Sequence, residues 1–125
     1  MTRLSVSLAC LSLVAVGLAA PSIKINSKHP EFKAIRAVAT KSCASGVSGG
    51  YTLGMEVTRL GGSWSFVSCS IKLDKGREGD GGYAGLFHKV KGKWTVVRWD
   101  VGSVPPDLNE WRAVKGVPKD LIPKN

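Results

Sequence analysis

The chain has 125 residues, and its 18 Lys and Arg against 9 Asp and Glu give a formal net charge of +9. This length corresponds to one domain with a modest core and excludes a second domain of ordinary size. The basic residues are scattered along the chain, so the charge argues against nucleic-acid binding and favours a cationic surface with weak affinity for anionic surfaces.

Residues 1–19 have the order of a secretory signal peptide. A single Arg precedes an apolar run over residues 4–18, and small residues follow before Pro21. The alternative is a membrane anchor, but Ser residues interrupt the run and its length is barely enough to span a bilayer. We therefore predict a secreted or periplasmic protein in which residues 20–125 form one domain, with no transmembrane anchor after cleavage.

The apolar residues adopt a helical period after Pro30, which suits a helix start. Four of them recur at steps of three and four residues and so share one helix face: Phe32, Ile35, Val38 and Ala39. A Gly- and Ser-rich loop follows, so the predicted helix ends near Cys43. Residues 22–28, before the helix, are predicted to be a polar, extended leader.

Two alternating segments around Gly61-Gly62 predict a β-hairpin with strands over 51–60 and 63–73. The alternation places five apolar side chains on one face: Leu53, Met55, Val57, Trp64 and Phe66. We expect this face to be the core, with Trp64 and Phe66 packed against the predicted helix.

A polar loop over residues 74–82 precedes a second predicted hairpin, with strands over 83–90 and 93–101 about Lys91-Gly92. Both faces of this hairpin are apolar, which indicates either cover on both faces or an exposed binding surface. One face combines aromatic and cationic residues and is the candidate binding surface: Tyr83, Phe87, Trp94, Lys89 and Arg98. The alternative is that this face is the core beneath the helix.

The C-terminal region turns at Pro105-Pro106, and Asp107 with Glu110 forms a capping pattern for a short helix. Leu121 and Ile122 can pack back onto the sheet. The predicted fold is therefore α+β, with one N-terminal helix packed on a four-stranded antiparallel meander and a short C-terminal helix.

This order of elements resembles a cystatin-like or nuclear-transport-factor-like arrangement, in which a helix packs into a curved sheet. The hairpin over residues 82–97 and the closing Gly116-Val117-Pro118 are similar to segments of small secreted bacterial proteins. Such proteins share no common activity, so the resemblance implies a fold and no catalytic residues.

Two cysteines remain after signal cleavage, and an oxidising compartment favours a Cys43–Cys69 disulfide. Strand alternation opposes it, because Cys69 falls on the face opposite Trp64 and Phe66, which the helix is expected to cover. A β-bulge near Ser68 would turn Cys69 toward the helix, and a detour of Cys43 round the sheet edge is the other solution.

The leading hypothesis for function is an exported, non-enzymatic binding or inhibitory module that engages a protein or an anionic envelope component. The alternative is a small secreted hydrolase using Cys43 or His88, with Asp100 completing a thiol–imidazole–carboxylate set. No metal or cofactor is predicted, since the two His lack ligand spacing and basic residues interrupt the acids of the 74–82 loop.

Overall fold

A computed structural model describes residues 20–74 and 81–124. The predicted signal peptide over residues 1–19 and most of the predicted loop over residues 74–82 lie outside the described residues. The elements in chain order are β1 (Ile23–Ile25), α1 (Phe32–Gly46), β2 (Tyr51–Gly61), β3 (Trp64–Leu73), β4 (Gly81–Val90), β5 (Lys93–Gly102) and α2 (Leu108–Arg112). The α+β class is confirmed.

The sheet is an antiparallel meander of five strands in the order β1-β2-β3-β4-β5. The prediction of four strands missed β1, which pairs with the end of β2 through Ile23 opposite Leu60 and Ile25 opposite Thr58. Ile25 is buried in the core, and this anchors a segment predicted to be only a polar leader.

Helix α1 begins two residues after Pro30, where the Phe32 N–H donates to the His29 carbonyl at 3.1 Å. Its buried residues Ile35, Ala39 and Cys43 recur every four positions, so one stripe of the helix faces the sheet. In the described ranges, no helix combines the length and apolarity needed to cross a membrane.

Apolar clusters lie on both faces of the sheet. We call the side covered by α1 the helix face; its buried strand residues are Ile25, Val67, Cys69, Ile71, Tyr83, Phe87 and Trp94. We call the other side the tail face; its buried strand residues are Trp64, Phe66, Ala84 and Leu86. Trp111, Leu121 and Ile122 cover the tail face, so the predicted return of the C-terminal region onto the sheet is confirmed.

The prediction that Trp64 and Phe66 pack beneath α1 is wrong. Both are buried on the tail face, where Phe66 meets Trp111 edge to face with ring centroids 6.3 Å apart. Strand β3 alternates without interruption, so Val67 and Cys69 point to the opposite side, toward α1. Local sequence cannot tell which of two apolar faces the helix will cover.

The first hairpin turns one residue later than predicted. Gly61 pairs with Trp64, so the turn is Gly62-Ser63 instead of Gly61-Gly62. The first turn residue has a φ of 59°, in the left-handed region that glycine adopts without strain. The second hairpin turns at Lys91-Gly92, as predicted.

A β-bulge in β2 changes which of its side chains share a face. Between the pairs Gly54–Ser70 and Val57–Ser68, two residues of β2 oppose one residue of β3. Met55 lies in this bulge with a φ of 46° and is 88% exposed. The side-chain alternation of β2 therefore reverses there, and the core position predicted for Met55 is wrong.

The C-terminal region is held to the sheet by hydrogen bonds to its backbone. The Arg59 guanidinium donates to the carbonyls of Leu121 at 2.8 Å and Asp120 at 3.1 Å. The Asp120 carboxylate accepts from the N–H and hydroxyl of Ser22, at 2.9 and 2.6 Å. These bonds satisfy backbone groups that no helix or strand ladder pairs.

Helix α2 also helps to fasten the chain end. Asp107 caps it, as predicted, but accepts from the Asn109 N–H at 3.0 Å, whereas the predicted pair with Glu110 would place this bond on the Glu110 N–H. From its last turn, Arg112 donates to the carbonyls of Ile122 and Pro123, at 3.4 and 2.6 Å. The final residues are thereby tied to the helix that precedes them.

Candidate functional site

The structure buries the aromatic part of the predicted binding surface. Tyr83, Phe87 and Trp94 are 2%, 0% and 7% exposed and form the core beneath α1. The binding-surface prediction is therefore wrong for these three residues, and the alternative, a core, is what the fold contains. The cause is that α1 packs on the side of the sheet to which these three side chains point. The helix was expected on the other side, over Trp64 and Phe66.

The two cations of the predicted surface lie apart. The Lys89 ammonium forms an ion pair with Glu31 at 2.6 Å, and the Trp94 indole N–H donates to the other Glu31 oxygen at 3.0 Å. These bonds lower the pKa of the Glu31 carboxyl, and the bond from Lys89 contributes more than the bond from Trp94. Arg98 is exposed on the tail face, where its guanidinium donates to the Val97 carbonyl.

The predicted Cys43–Cys69 disulfide is absent, and both cysteines are free thiols. The conflict of faces predicted from the sequence is not the reason, because both residues belong to the helix-face core. The predicted bulge near Ser68 is also wrong, since the bulge lies in β2. Both thiols are buried in this core and form no bond to each other.

Burial makes both thiols poor nucleophiles. It raises the pKa of Cys43, and it raises the pKa of Cys69 to about 12. The same cause raises the pKa of Tyr83 to about 12, and the Tyr83 hydroxyl is hydrogen-bonded to Ser42 of α1. Because the thiolate is the reactive form, neither cysteine is activated for attack at neutral pH.

The three residues of the alternative hydrolase are not brought together. Cys43 lies on the helix face, whereas His88 and Asp100 lie on the tail face. The His88 ring stacks on Trp64, with centroids 4.1 Å apart. A base must reach its nucleophile directly or through one water, and here the sheet stands between them. Among residues 20–74 and 81–124, no three His, Cys, Asp or Glu are grouped to hold a metal.

A groove that sequence reasoning missed runs between α1 and strand β5, the last strand of the sheet. We call it the edge groove; its volume is about 550 Å³ and its lining includes Ala37, Val38, Lys41, Trp94, Thr95 and Val96. Val96 is 38% exposed, and Trp99 farther along β5 is 42% exposed. The sequence could have indicated this groove, because the last strand of a predicted meander lies at an edge of the sheet.

The side chains that line the edge groove include the basic Lys41 and no acidic residue. Glu31, near the start of α1, is already paired with Lys89. Val38 and Val96 supply apolar walls, and Thr95 lies at the strand side. The groove thus combines an apolar lining, one positive charge and a neighbouring strand edge.

Comparison of the chain with protein-family models, curated proteins and solved structures finds no significant match. The resemblance to cystatin-like and nuclear-transport-factor-like arrangements therefore stays a prediction.

Proposed function

We propose that the protein is an exported, non-enzymatic binding module that holds an extended, acidic segment of another protein along strand β5, beside the edge groove. The observation that carries the proposal is a ten-residue edge strand next to an open, largely apolar groove with a lysine in it. Adding a strand to an exposed sheet edge is a recurrent way to bind peptides.

The backbone of β5 supports this mode of binding. Its ladder partner is β4, and it stands last in the strand order. Within the described part of the chain, the backbone hydrogen bonds outside regular elements involve no residue of β5. Its outer N–H and C=O groups point away from β4, where an added strand would pair with them.

A bulge limits where an added strand can pair. Leu86 pairs with Arg98 and Phe87 with Val96, so Val97 is an extra residue in β5. The bulge interrupts the edge and opposes unlimited sheet growth between copies of the protein. The segment Lys93–Val96, which lies before the bulge and borders the groove, is the part proposed to receive the ligand.

Charge selects the class of segment. The chain carries a formal charge of +9, and Lys41 lines the groove beside the apolar Val38 and Val96. An extended segment with alternating acidic and apolar side chains matches both features, because alternate side chains of a strand point the same way. Apolar side chains would enter the groove, and acidic ones would lie near the surface lysines.

A blocked octapeptide of alternating Glu and Val is the probe, and amide NMR of the protein over residues 20–125 is the measurement. Binding should shift the amides of residues 37–45 and 93–96 and slow hydrogen exchange in β5, because new backbone bonds form there. Val96→Asp should weaken binding about tenfold or more by adding a like charge to the groove. Val90→Asp, at an exposed position outside the groove, should leave binding unchanged.

Two results would overturn the proposal. One is binding that survives Val96→Asp. The other is equal binding of polyphosphate without protection of β5 amides, which would assign the basic surface to an anionic polymer.

Export is tested separately by the intact mass of the secreted protein, which should begin at or near Ala20; a secreted form that retains Met1 would contradict it.

A further inference from the structure

A second concavity lies on the tail face, on the opposite side of the sheet from the edge groove. We call it the tail cleft; its volume is about 310 Å³ and its lining includes Phe66, Ala84, Asp100, Val104, Pro105 and Leu108. The strands supply its floor, and the segment that leads into α2 supplies a wall. Its size is at the lower end of the range of small-molecule sites.

The tail cleft contains a carboxylate without a protein partner. Asp100 is half-buried, and among the described residues it makes no ion pair or hydrogen bond through its side chain. By contrast, Glu31 and Glu56 pair with Lys89 and Arg36. In a chain with twice as many basic as acidic residues, a half-buried carboxylate left unpaired is the feature that requires an explanation.

The nearest cation on the same face of β5 does not neutralise it. Arg98 lies two residues before Asp100, and its guanidinium donates to the carbonyl of Val97 at 2.9 Å. The rest of the lining is mainly apolar, apart from Ser68, Cys69, Tyr83 and Ser103. A carboxylate that has no cationic partner in the protein can form a charge-assisted hydrogen bond with a cationic ligand.

We infer that the tail cleft binds a small apolar molecule that carries one positive charge, such as an aryl-alkyl ammonium. Its ammonium group pairs with the Asp100 carboxylate, and its apolar part lies against Phe66, Val104 and Leu108. This site is independent of the edge groove and of the peptide proposed there.

Phenethylammonium is the probe, and 2-phenylethanol, which keeps the ring but loses the charge, is the matched neutral ligand. Titration followed by amide NMR should give saturable shifts at residues 100–108 and leave residues 93–96 unaffected. The alcohol should bind about tenfold more weakly than the amine, because only the amine can pair with Asp100.

Asp100→Asn should remove the preference for the amine over the alcohol without changing the affinity for the alcohol. Glu110→Gln, which removes an exposed carboxylate on α2, is the control and should preserve the preference. Val104→Lys alters a residue that is 76% exposed and therefore leaves the fold intact. It should weaken amine binding by placing a like charge at the cleft.

The inference is overturned by any of three results. The first is equal affinity for amine and alcohol. The second is an amine preference that persists in Asp100→Asn. The third is the absence of saturable shifts in the tail cleft below about 10 mM ligand, the level of a very weak complex.

Discussion

The two faces of one sheet are covered by very different pieces of chain. On the helix face, the 15-residue helix α1 satisfies most of its backbone internally and contributes a regular apolar stripe. On the tail face, the cover is the segment after Gly102, which is irregular apart from the five-residue helix α2, and side chains such as Arg59 and Arg112 satisfy its carbonyls. A helical cover can be predicted from the periodicity of its apolar residues. An irregular cover has no such pattern, because a few long-range hydrogen bonds hold it in place.

The faces also differ in the chemistry they enclose. The helix face buries two thiols and the hydroxyls of Tyr83 and Ser42, which are hydrogen-bonded to each other. The tail face is built mainly from aromatic and aliphatic side chains, with Trp64 stacked on His88 at its rim. Experiments on the helix face should therefore measure how well its thiols and hydroxyls are protected from solvent. Experiments on the tail face should measure how much its side-chain packing contributes to stability.

Thiol labelling gives the largest expected effect. Cys43 and Cys69 should react with a thiol reagent at least ~1000-fold more slowly in the native protein than in urea, because labelling requires opening of the helix face. The measurement is a time course on the protein over residues 20–125, with glutathione as a fully exposed standard. Two thiols should be counted after unfolding; a count of zero would mean that the disulfide forms.

A matched pair of substitutions compares the packing of the faces. Phe66→Ala on the tail face and Phe87→Ala on the helix face should each lower the free energy of unfolding by about 3–5 kcal/mol, since both rings are buried. Urea unfolding measures both, and Val90→Ala at an exposed position is the control. A loss of under about 1 kcal/mol for Phe66→Ala would show that the tail cover is not part of the core.

Removal of one arginine tests how the tail cover is held. Arg59→Met deletes the donors to Leu121 and Asp120 and should cost about 1–3 kcal/mol, while Arg98→Met should cost under about 0.5 kcal/mol. Limited proteolysis should cut the Arg59→Met protein faster near its C-terminus. Equal stability of the two variants would contradict the role assigned to Arg59.

Acid should produce the smallest change in the free energy of unfolding, through one carboxyl group on each face of the sheet. Bonds from Lys89 and Trp94 lower the pKa of Glu31 below its ordinary 4.5, and bonds from Ser22 lower the pKa of Asp120 below 3.8. A lowered folded-state pKa means that the stabilisation is complete above the ordinary value and is lost as the pH falls through the lowered one. Glu31→Gln should flatten the fall in stability below about pH 4.5, and Asp120→Asn should flatten it below about pH 3.8, both measured by urea unfolding across pH. An unchanged acid limb in both variants would show that these carboxyls do not contribute.

The local elements of this protein were predictable because each depends on neighbours in sequence. The stripe that contains Ile35 and Ala39 predicts α1, alternation about two Gly-containing turns predicts two hairpins, and Asp107 predicts the cap of α2. Strand β1 was missed because three residues carry too little pattern to distinguish a strand from an extended leader.

Only the tertiary structure decided which face α1 covers, and this decision governs the candidate sites. The second hairpin is apolar on both sides, and the reversal of alternation at Met55 has no mark in the sequence, since a bulge needs only one unpaired residue and no special side chain. The sequence by itself therefore determined helix, hairpins and cap, whose causes are local. The burial of Tyr83 and Phe87, the edge groove and the tail cleft come from packing between distant segments, which no local pattern encodes.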